Sequence, residues 1–376
     1  MSPRRFVSSE IPIPKNTSMS VLTNSPSVRC PICGAAARTV YTGYPGYQEP
    51  SRFDLGACHV CNTGFVLDTA VDTRPIYEAI YGAAEVVPGY NRYVRYARDI
   101  LAVDDPLGWL AAQEVSYWGI RQHVMSAGLH ATDAIVEVGS GLGYLTYALN
   151  KSGRPTIGVD ISREAVDQAT RVFGNSYVHT DLAHYAVQRA GQCRLVIGTE
   201  VIEHVPDVYA FLETCIALLQ PGGELLVTTP NRDACSQDIV WDVEAPPVHL
   251  WWFSVRSFEA MAEKLGCQVR LVDLGSYPQR DTWRQRVLGR NAMPLKQPIL
   301  DRHGNVIRHR PLQPRALRAA SKILRSAKSR IRLVIRFGQR AVTDRSLTPA
   351  PTLCVIFEKV SVHELNGRGI TERSTE

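Results

Sequence analysis

Apolar runs rich in β-branched residues alternate with stretches of helical periodicity through the middle of the chain. Ile135, Val136 and Val138 form a short buried-strand pattern. Thr156-Ile-Gly-Val-Asp160, Tyr177-Val-His-Thr-Asp181, Leu195-Val-Ile-Gly-Thr-Glu200 and Glu224-Leu-Leu-Val-Thr-Thr-Pro230 repeat it. Helices are predicted between them, one capped by Ser162 and running to about Val172, another over 207–219 and stopping at Gln220-Pro-Gly-Gly223. A helix at 254–265, a strand at 268–274 and a last strand at Thr352–Glu358 follow. This alternation predicts an α/β fold with a doubly wound, Rossmann-like parallel sheet. The two late strands, separated by a long insertion, predict an antiparallel hairpin at the sheet's edge. Upstream, Pro106 to Leu129 reads as a single amphipathic helix leading into the first strand.

The flanks follow different patterns. Residues 1–28, rich in Ser, Pro and Thr, and residues 362–376 predict disordered tails. Residues 29–70 hold two close cysteine pairs, 71–105 are tyrosine-rich, 106–279 form the main domain, 280–350 a basic helical insertion and 351–361 the last core strand. The net charge of +6 is local in origin, because residues 280–340 alone carry 17 Lys/Arg against 2 Asp/Glu. No apolar run is long enough to span a bilayer and no secretory core is evident at the N-terminus. The expectation is a cytoplasmic protein, with peripheral attachment to the inner membrane face as an option.

Cys30-Pro-Ile-Cys33-Gly and Cys58-His-Val-Cys61-Asn-Thr-Gly place two thiolates on each of two tight knuckles, the tetrahedral set that zinc prefers. Nine cysteines in all, an odd number, also argue against a disulfide framework. With all four positions protein-derived, this predicts a closed, structural zinc ribbon, in which Gly34 and Gly64 serve the turns. Tyr77, Tyr81, Tyr90, Tyr93 and Tyr96 either pack this ribbon on the main domain or form a lid over a pocket.

The densest chemistry follows the first strand. Glu137-Val-Gly139-Ser140-Gly141-Leu-Gly143 has three glycines at alternate positions, suiting a sharp turn that approaches a ligand closely and offers N–H groups at a helix start. Asp160 lies 21 positions beyond Gly139, near the spacing at which an acid grips ribose hydroxyls. Asp181 and Glu200 end the next strands; carboxylates there also commonly cap the following helix.

Together, Glu137-x-Gly-x-Gly-x-Gly143, Asp160, Asp181, Glu200-Val-Ile-Glu203-His204 and Pro221-Gly-Gly223 resemble class I S-adenosylmethionine-dependent methyltransferases. The likeness is greatest to the subgroup holding ubiquinone-biosynthesis O-methyltransferases and enzymes of polysaccharide gene clusters. It covers about residues 110–275 and the last strand. A zinc ribbon ahead of such a domain also resembles sugar methyltransferases. The resemblance implies S-adenosylmethionine held by Gly139, Ser140, Gly141 and Gly143, with Glu137 toward its cationic end. It further implies Asp160 and Ile161 at the ribose, Asp181 and Leu182 at the adenine, and Glu200 nearby. The expected reaction is O-methylation of a glycan, sugar nucleotide or other small hydroxylated acceptor.

Glu203 and His204 follow the fourth strand, and Pro246-Pro-Val-His249-Leu-Trp-Trp-Phe-Ser254 supplies a second histidine. Glu200, Glu203, His204 and His249 could hold a divalent metal that acidifies an acceptor hydroxyl, a pattern similar to metal-dependent small-RNA 2′-O-methyltransferases. Alternatively, His204 is a lone base, or the cluster only orders its loop. His249, Trp251 and Trp252 are expected to line the acceptor site. The basic stretch from Pro314 to Arg340 reads as a solvated helix, a surface for anionic lipid or lipid-linked glycan, or, less favoured, an RNA-docking element of an RNA methyltransferase. A non-catalytic zinc-bearing scaffold is the reading from another class, against which the intact glycine turn and acids speak.

Overall fold

The computed structural model describes residues 27–234, 245–277, 298–307 and 350–359. Nearly all of the expected tails and of the basic insertion, and the predicted helix from Pro314 to Arg340, lie outside the described residues; Ser27 and Val28, expected in the N-terminal tail, belong instead to a strand. In order, the elements are β1 (Ser27–Arg29), β2 (Ala36–Pro45), β3 (Arg52–Cys58), β4 (Gly64–Val66), α1 (Arg74–Gly82), α2 (Asn91–Asp99), α3 (Pro106–Gln113) and α4 (Val115–Ser126). The main domain follows with β5 (Ile135–Val138), α5 (Tyr144–Lys151), β6 (Thr156–Asp160), α6 (Arg163–Phe173), β7 (Tyr177–His179), α7 (Leu182–Arg189), β8 (Cys193–Thr199), α8 (Val208–Leu218) and β9 (Leu219–Pro230). It closes with β10 (Trp251–Trp252), α9 (Val255–Leu265), β11 (Cys267–Leu271) and β12 (Thr352–Lys359).

The large sheet runs β11-β12-β9-β8-β5-β6-β7. β5 to β9 are mutually parallel, and β12 pairs antiparallel with both β9 and β11, which is the expected late hairpin. All four β5 residues are buried, as a central strand covered on both faces requires. Helix starts follow the caps in the sequence. Ser162, Asp181, Asp207 and Ser254 each accept a backbone N–H of the helix they begin, and Ser254 forms a full capping box with Ser257.

Two expectations need correction. The single helix over 106–129 is two, because Glu114 takes an extended backbone conformation between α3 and α4. That break turns the Glu114 carboxylate toward the Arg92 guanidinium at 2.9 Å and the Tyr96 hydroxyl at 2.8 Å. Trp251 and Trp252 line no open site: each is 4% exposed, and as β10 they add a fifth strand to the N-terminal sheet, which runs β1-β2-β3-β4-β10. No helix among the described residues is long and apolar enough to cross a membrane.

Candidate functional site

The four N-terminal sulfurs converge. Cys30 Sγ lies 3.6 Å from Cys61 Sγ, Cys33 Sγ lies 3.6 Å from Cys58 Sγ, and all four fall within 4.8 Å of one another. Tetrahedral zinc with Zn–S bonds of about 2.3 Å sets its sulfurs about 3.8 Å apart, so the donor set fits that ion. The knuckles are alike in backbone: Gly34 directly follows the first pair at φ 72° and Asn62 directly follows the second at φ 55°. Asn62 is thus the counterpart of Gly34. Gly64 serves a different need, since a Cβ there would come within 2.7 Å of the Arg232 guanidinium.

At the ends of β5 and β6, Gly139, Gly141 and Gly143 all take positive φ (71°, 50° and 80°). The expectation that this turn presents free N–H groups is not met at four positions. Gly139 and Ser140 donate to the Val159 carbonyl, Gly141 to Asp160 Oδ2 at 2.7 Å and Gly143 to the Ser140 carbonyl. The neighbouring strand end claims them, so the turn acts as a surface for close approach. A Cβ on Gly141 would make only an ordinary van der Waals contact with the Tyr81 hydroxyl, at 3.9 Å, so the ring closes directly over the loop, and a cavity lies beside it, lined by Tyr81, Leu142 and Glu164. Ser140 Oγ is buried without a hydrogen-bond partner.

The acids divide by environment. Glu137 is 3% exposed and accepts a hydrogen bond from Thr146 Oγ1; burial pushes its carboxyl up to about 8. Asp160 also accepts from Ser162 N, at 2.8 Å, and burial raises its pKa against those backbone bonds. Asp181 is exposed and caps α7 through Ala183 N and His184 N, the alternative left open for a strand-end carboxylate, and Leu182 is half-buried beside it. Ile161, next to Asp160, is 73% exposed.

Glu200 is a non-glycine residue at φ 52°. Thr228 Oγ1 donates to its carboxylate at 3.0 Å, and burial raises the Glu200 carboxyl to about 7. The grouping expected for a metal is therefore smaller than four. Glu203, His204 and His249 offer ligand atoms within 4.8 Å of one another, and Glu200 is outside that group, turned to Thr228. His204 and His249 meet edge to face with ring centroids 4.5 Å apart. His204 Nδ1 lies 2.5 Å from the Val248 carbonyl, so Nδ1 carries the proton that it donates there and Nε2 keeps the lone pair. Burial lowers His204 to about 4 and His249 well below the usual imidazole range, and both are neutral at physiological pH.

The tyrosines join the two halves of the site. Tyr77 meets His204 edge-on at 6.0 Å, and a run of ring contacts continues through Tyr81, Tyr90 and Tyr93 to Tyr144 at the start of α5. The Tyr144 and Tyr117 hydroxyls bond at 2.6 Å. α1 and α2 thereby roof the glycine loop. The sequence patterns do not single out Tyr144, Thr146, Thr228 or the Arg92–Glu114 pair; a single acid, Glu114, within a largely apolar run was the available signal.

Residues 117–272 match a family described as a methyltransferase domain. Residues 117–272 are thus similar to methyltransferase domains, and the match covers less than half of the chain. The chain is 32% identical over 113 residues to the ubiquinone biosynthesis O-methyltransferase of Aromatoleum aromaticum, a stretch covering 29% of this chain and 48% of that protein. With the enzyme of the same name from Xanthomonas axonopodis pv. citri the identity is 33% over 119 residues, covering 30% and 50%. The chain therefore spans about half the length of these curated relatives. A crystal structure of a SAM-dependent methyltransferase from Archaeoglobus fulgidus aligns with TM-score 0.40 and 14% identity over 65% of this chain and 95% of that one. The methyltransferase domain as matched leaves out β1 to β4, α1 to α3 and β12, so the cysteine module and most of the tyrosine roof lie outside it.

Proposed function

We propose that the chain is an S-adenosylmethionine-dependent O-methyltransferase acting on a small hydroxylated acceptor, a glycan or sugar nucleotide among them. The observation that carries this reading is the cavity bounded by Tyr81 and Leu142 beside the glycine turn and its Asp160, linked through the tyrosine rings to a neutral His204. The fit to the cofactor is supported by the buried, unpartnered Ser140 hydroxyl and by the exposed Ile161, an apolar face that an adenine ring would cover. In this reading Gly139, Ser140, Gly141 and Gly143 floor the cofactor site and Asp160 holds the ribose hydroxyls. Asp181 and Leu182 border the adenine, and Glu137 and Glu200 lie toward the cationic end. The four cysteines hold a structural zinc.

When bound, the sulfonium cofactor supplies an activated methyl group, so the protein's work is alignment and removal of one proton. His204 Nε2 would take the acceptor hydroxyl proton as the oxygen–methyl bond forms and the sulfur–methyl bond breaks, the thioether leaving as S-adenosylhomocysteine. Its Nδ1–H is fixed on the Val248 carbonyl, and Glu203 Oε1, 3.9 Å from Nε2, favours the imidazolium that results. The tyrosine roof limits water and presents aromatic faces to the acceptor. Calorimetric titration with S-adenosylhomocysteine tests the reading. Wild type is expected to bind and Asp160→Ala to lose affinity; absence of binding by the wild-type chain refutes it. Incubating a cell extract with the protein and isotopically labelled cofactor, followed by mass spectrometry, would identify the acceptor.

The convergence of Glu203, His204 and His249 favours a second reading, in which a divalent cation there lowers the acceptor's pKa. Methyl transfer abolished by a chelator and restored by magnesium or manganese, with zinc content unchanged, would select it over His204 acting as the base.

A further inference from the structure

The cysteine module is built into the edge of the candidate active site. β10 pairs with β4 in the register Trp251 to Phe65 and Trp252 to Gly64, and Val66 N donates to the Leu250 carbonyl at 2.9 Å. On its other side the same segment is tied to the loop after β8. Leu250 N donates to the Glu203 carbonyl at 2.8 Å, Trp251 Nε1 to the Val205 carbonyl at 2.8 Å, and His204 Nδ1 to the Val248 carbonyl. Residues 248–251 are thus held between the ribbon and the segment carrying Glu203 and His204.

A buried hydroxyl cluster secures the second knuckle to the same region. Ser254 Oγ donates to the Cys61 carbonyl at 2.6 Å, and Ser257 Oγ approaches that carbonyl at 3.3 Å. Thr63 Oγ1 lies 3.0 Å from Cys61 Sγ and 2.7 Å from Ser257 Oγ. Thr63, Ser254 and Ser257 are fully buried. Asn62 Nδ2 donates to Asp233 Oδ1 at 2.7 Å, whose other oxygen accepts from Val255 N. The first knuckle is anchored too, with Tyr209 of α8 donating to the Ile32 carbonyl at 2.7 Å.

We infer that the four-cysteine module is a positioning device for the Glu203–His204–His249 group, with Thr63 and Ser254 as the positioning residues that transmit its order. Filling the cysteine site with zinc fixes the second knuckle. That fixes β4, β4 fixes β10, and the segment leading into β10 holds His204 on the Val248 carbonyl and His249 edge-on against it. The inference rests on the reading of those three residues as the reacting end of the site. Most of the cofactor end, the glycine turn and Asp160 on β5 and β6, makes none of these bonds and keeps its order when the module loosens; Glu200, in the coupled segment, is the exception.

Hydrogen–deuterium exchange read by mass spectrometry on the full, zinc-loaded chain tests this. Removing zinc with a chelator is expected to speed exchange in 200–206 and 246–256 as well as in 27–66, while 135–160 is unchanged. Thr63→Val, with zinc content retained, is expected to speed exchange in 200–206 and 246–256 about tenfold, the scale of one lost buried hydrogen bond, and Thr63→Ser to restore it. Loosening confined to 27–66 on zinc removal, or a zinc-loaded Thr63→Val chain exchanging like wild type, overturns the inference. The Thr63→Val comparison decides the matter even where chelation unfolds the whole chain. Titration with S-adenosylhomocysteine runs alongside. Its failure would sink the proposed function, whereas the mechanical coupling stands or falls on the exchange rates alone.

Discussion

Adding one methyl group to Gly141 separates the cost of backbone strain from the cost of filling the cofactor space. At φ 50° an alanine is strained by about 1–2 kcal/mol, yet its Cβ finds no protein atom closer than the Tyr81 hydroxyl at 3.9 Å. Gly141→Ala should therefore fold and lose only that amount of stability, while the methyl group projects into the space assigned to the cofactor. An intrusion of this size is worth roughly 10–200-fold in affinity. Gly143→Ala is the contrast. It carries the same strain at φ 80°, and its Cβ would sit 2.6 Å from Ala169 Cβ and 2.7 Å from the Tyr177 ring. Overpacking adds about 1–3 kcal/mol, for a total of about 2–5 kcal/mol. Urea denaturation of the two variants and wild type gives the stability ranking, and calorimetric titration with S-adenosylhomocysteine gives the affinities. If Gly141→Ala binds as well as wild type, Gly141 does not floor the cofactor site.

Further expectations concern the titrating groups. Replacing His204 with Asn should cut methyl transfer by about 10²–10⁴-fold with little change in cofactor affinity; because burial holds His204 near 4, wild-type activity should fall only as pH drops toward that value, and a limb centred near 6.5 would contradict the assignment. Burial raises the Glu137 carboxyl to about 8 from 4.5, so it stabilises the fold fully below about 4.5 and loses that contribution as pH rises through about 8. A cationic amine beside it would draw its proton off, so titrations with S-adenosylhomocysteine near pH 7 in buffers of different ionisation enthalpy should report proton release; identical enthalpies in all buffers would remove Glu137 from the cofactor's cationic end. Glu224 meets His123 at 3.2 Å, Arg194 at 3.3 Å and Arg270 at 2.6 Å, and these partners bring its carboxyl down to about 2 despite the opposing effect of burial. Its contribution is present above about 4.5 and drains away as pH falls toward about 2; Glu224→Gln should cost about 1–3 kcal/mol at neutral pH, after allowing for solvent at Arg270, and lose most of that difference in acid. Equal urea midpoints for Glu224→Gln and wild type at pH 7 would show the cluster to be energetically idle.

The parts of this protein that its sequence determined are those fixed by short-range rules. Strand period, helix caps and glycine positions depend on residues a few places apart, which is why the order of β5 to β9, the hairpin of β11 and β12, the Ser162 cap and the glycine turn are legible from the chain. Two CxxC knuckles announce a four-sulfur cluster for the same reason, since each fixes two ligands locally and only the meeting of the pairs is left to the fold. Tertiary structure decided whatever depended on which partner a group finds across the chain. Trp251 and Trp252 look like acceptor-site aromatics in sequence, but β4 offered an unpaired edge and buried them there. Thr228, 28 positions away, drew Glu200 from the group at Glu203, and Arg92 with Tyr96 engaged the Glu114 that interrupts the helical run. The turn's N–H groups went to Val159 and Asp160 because β6 ends beside them. Spacing along a chain specifies which groups are available; the free energy of burying polar groups specifies whom they bond, and that is settled only when the chain has packed.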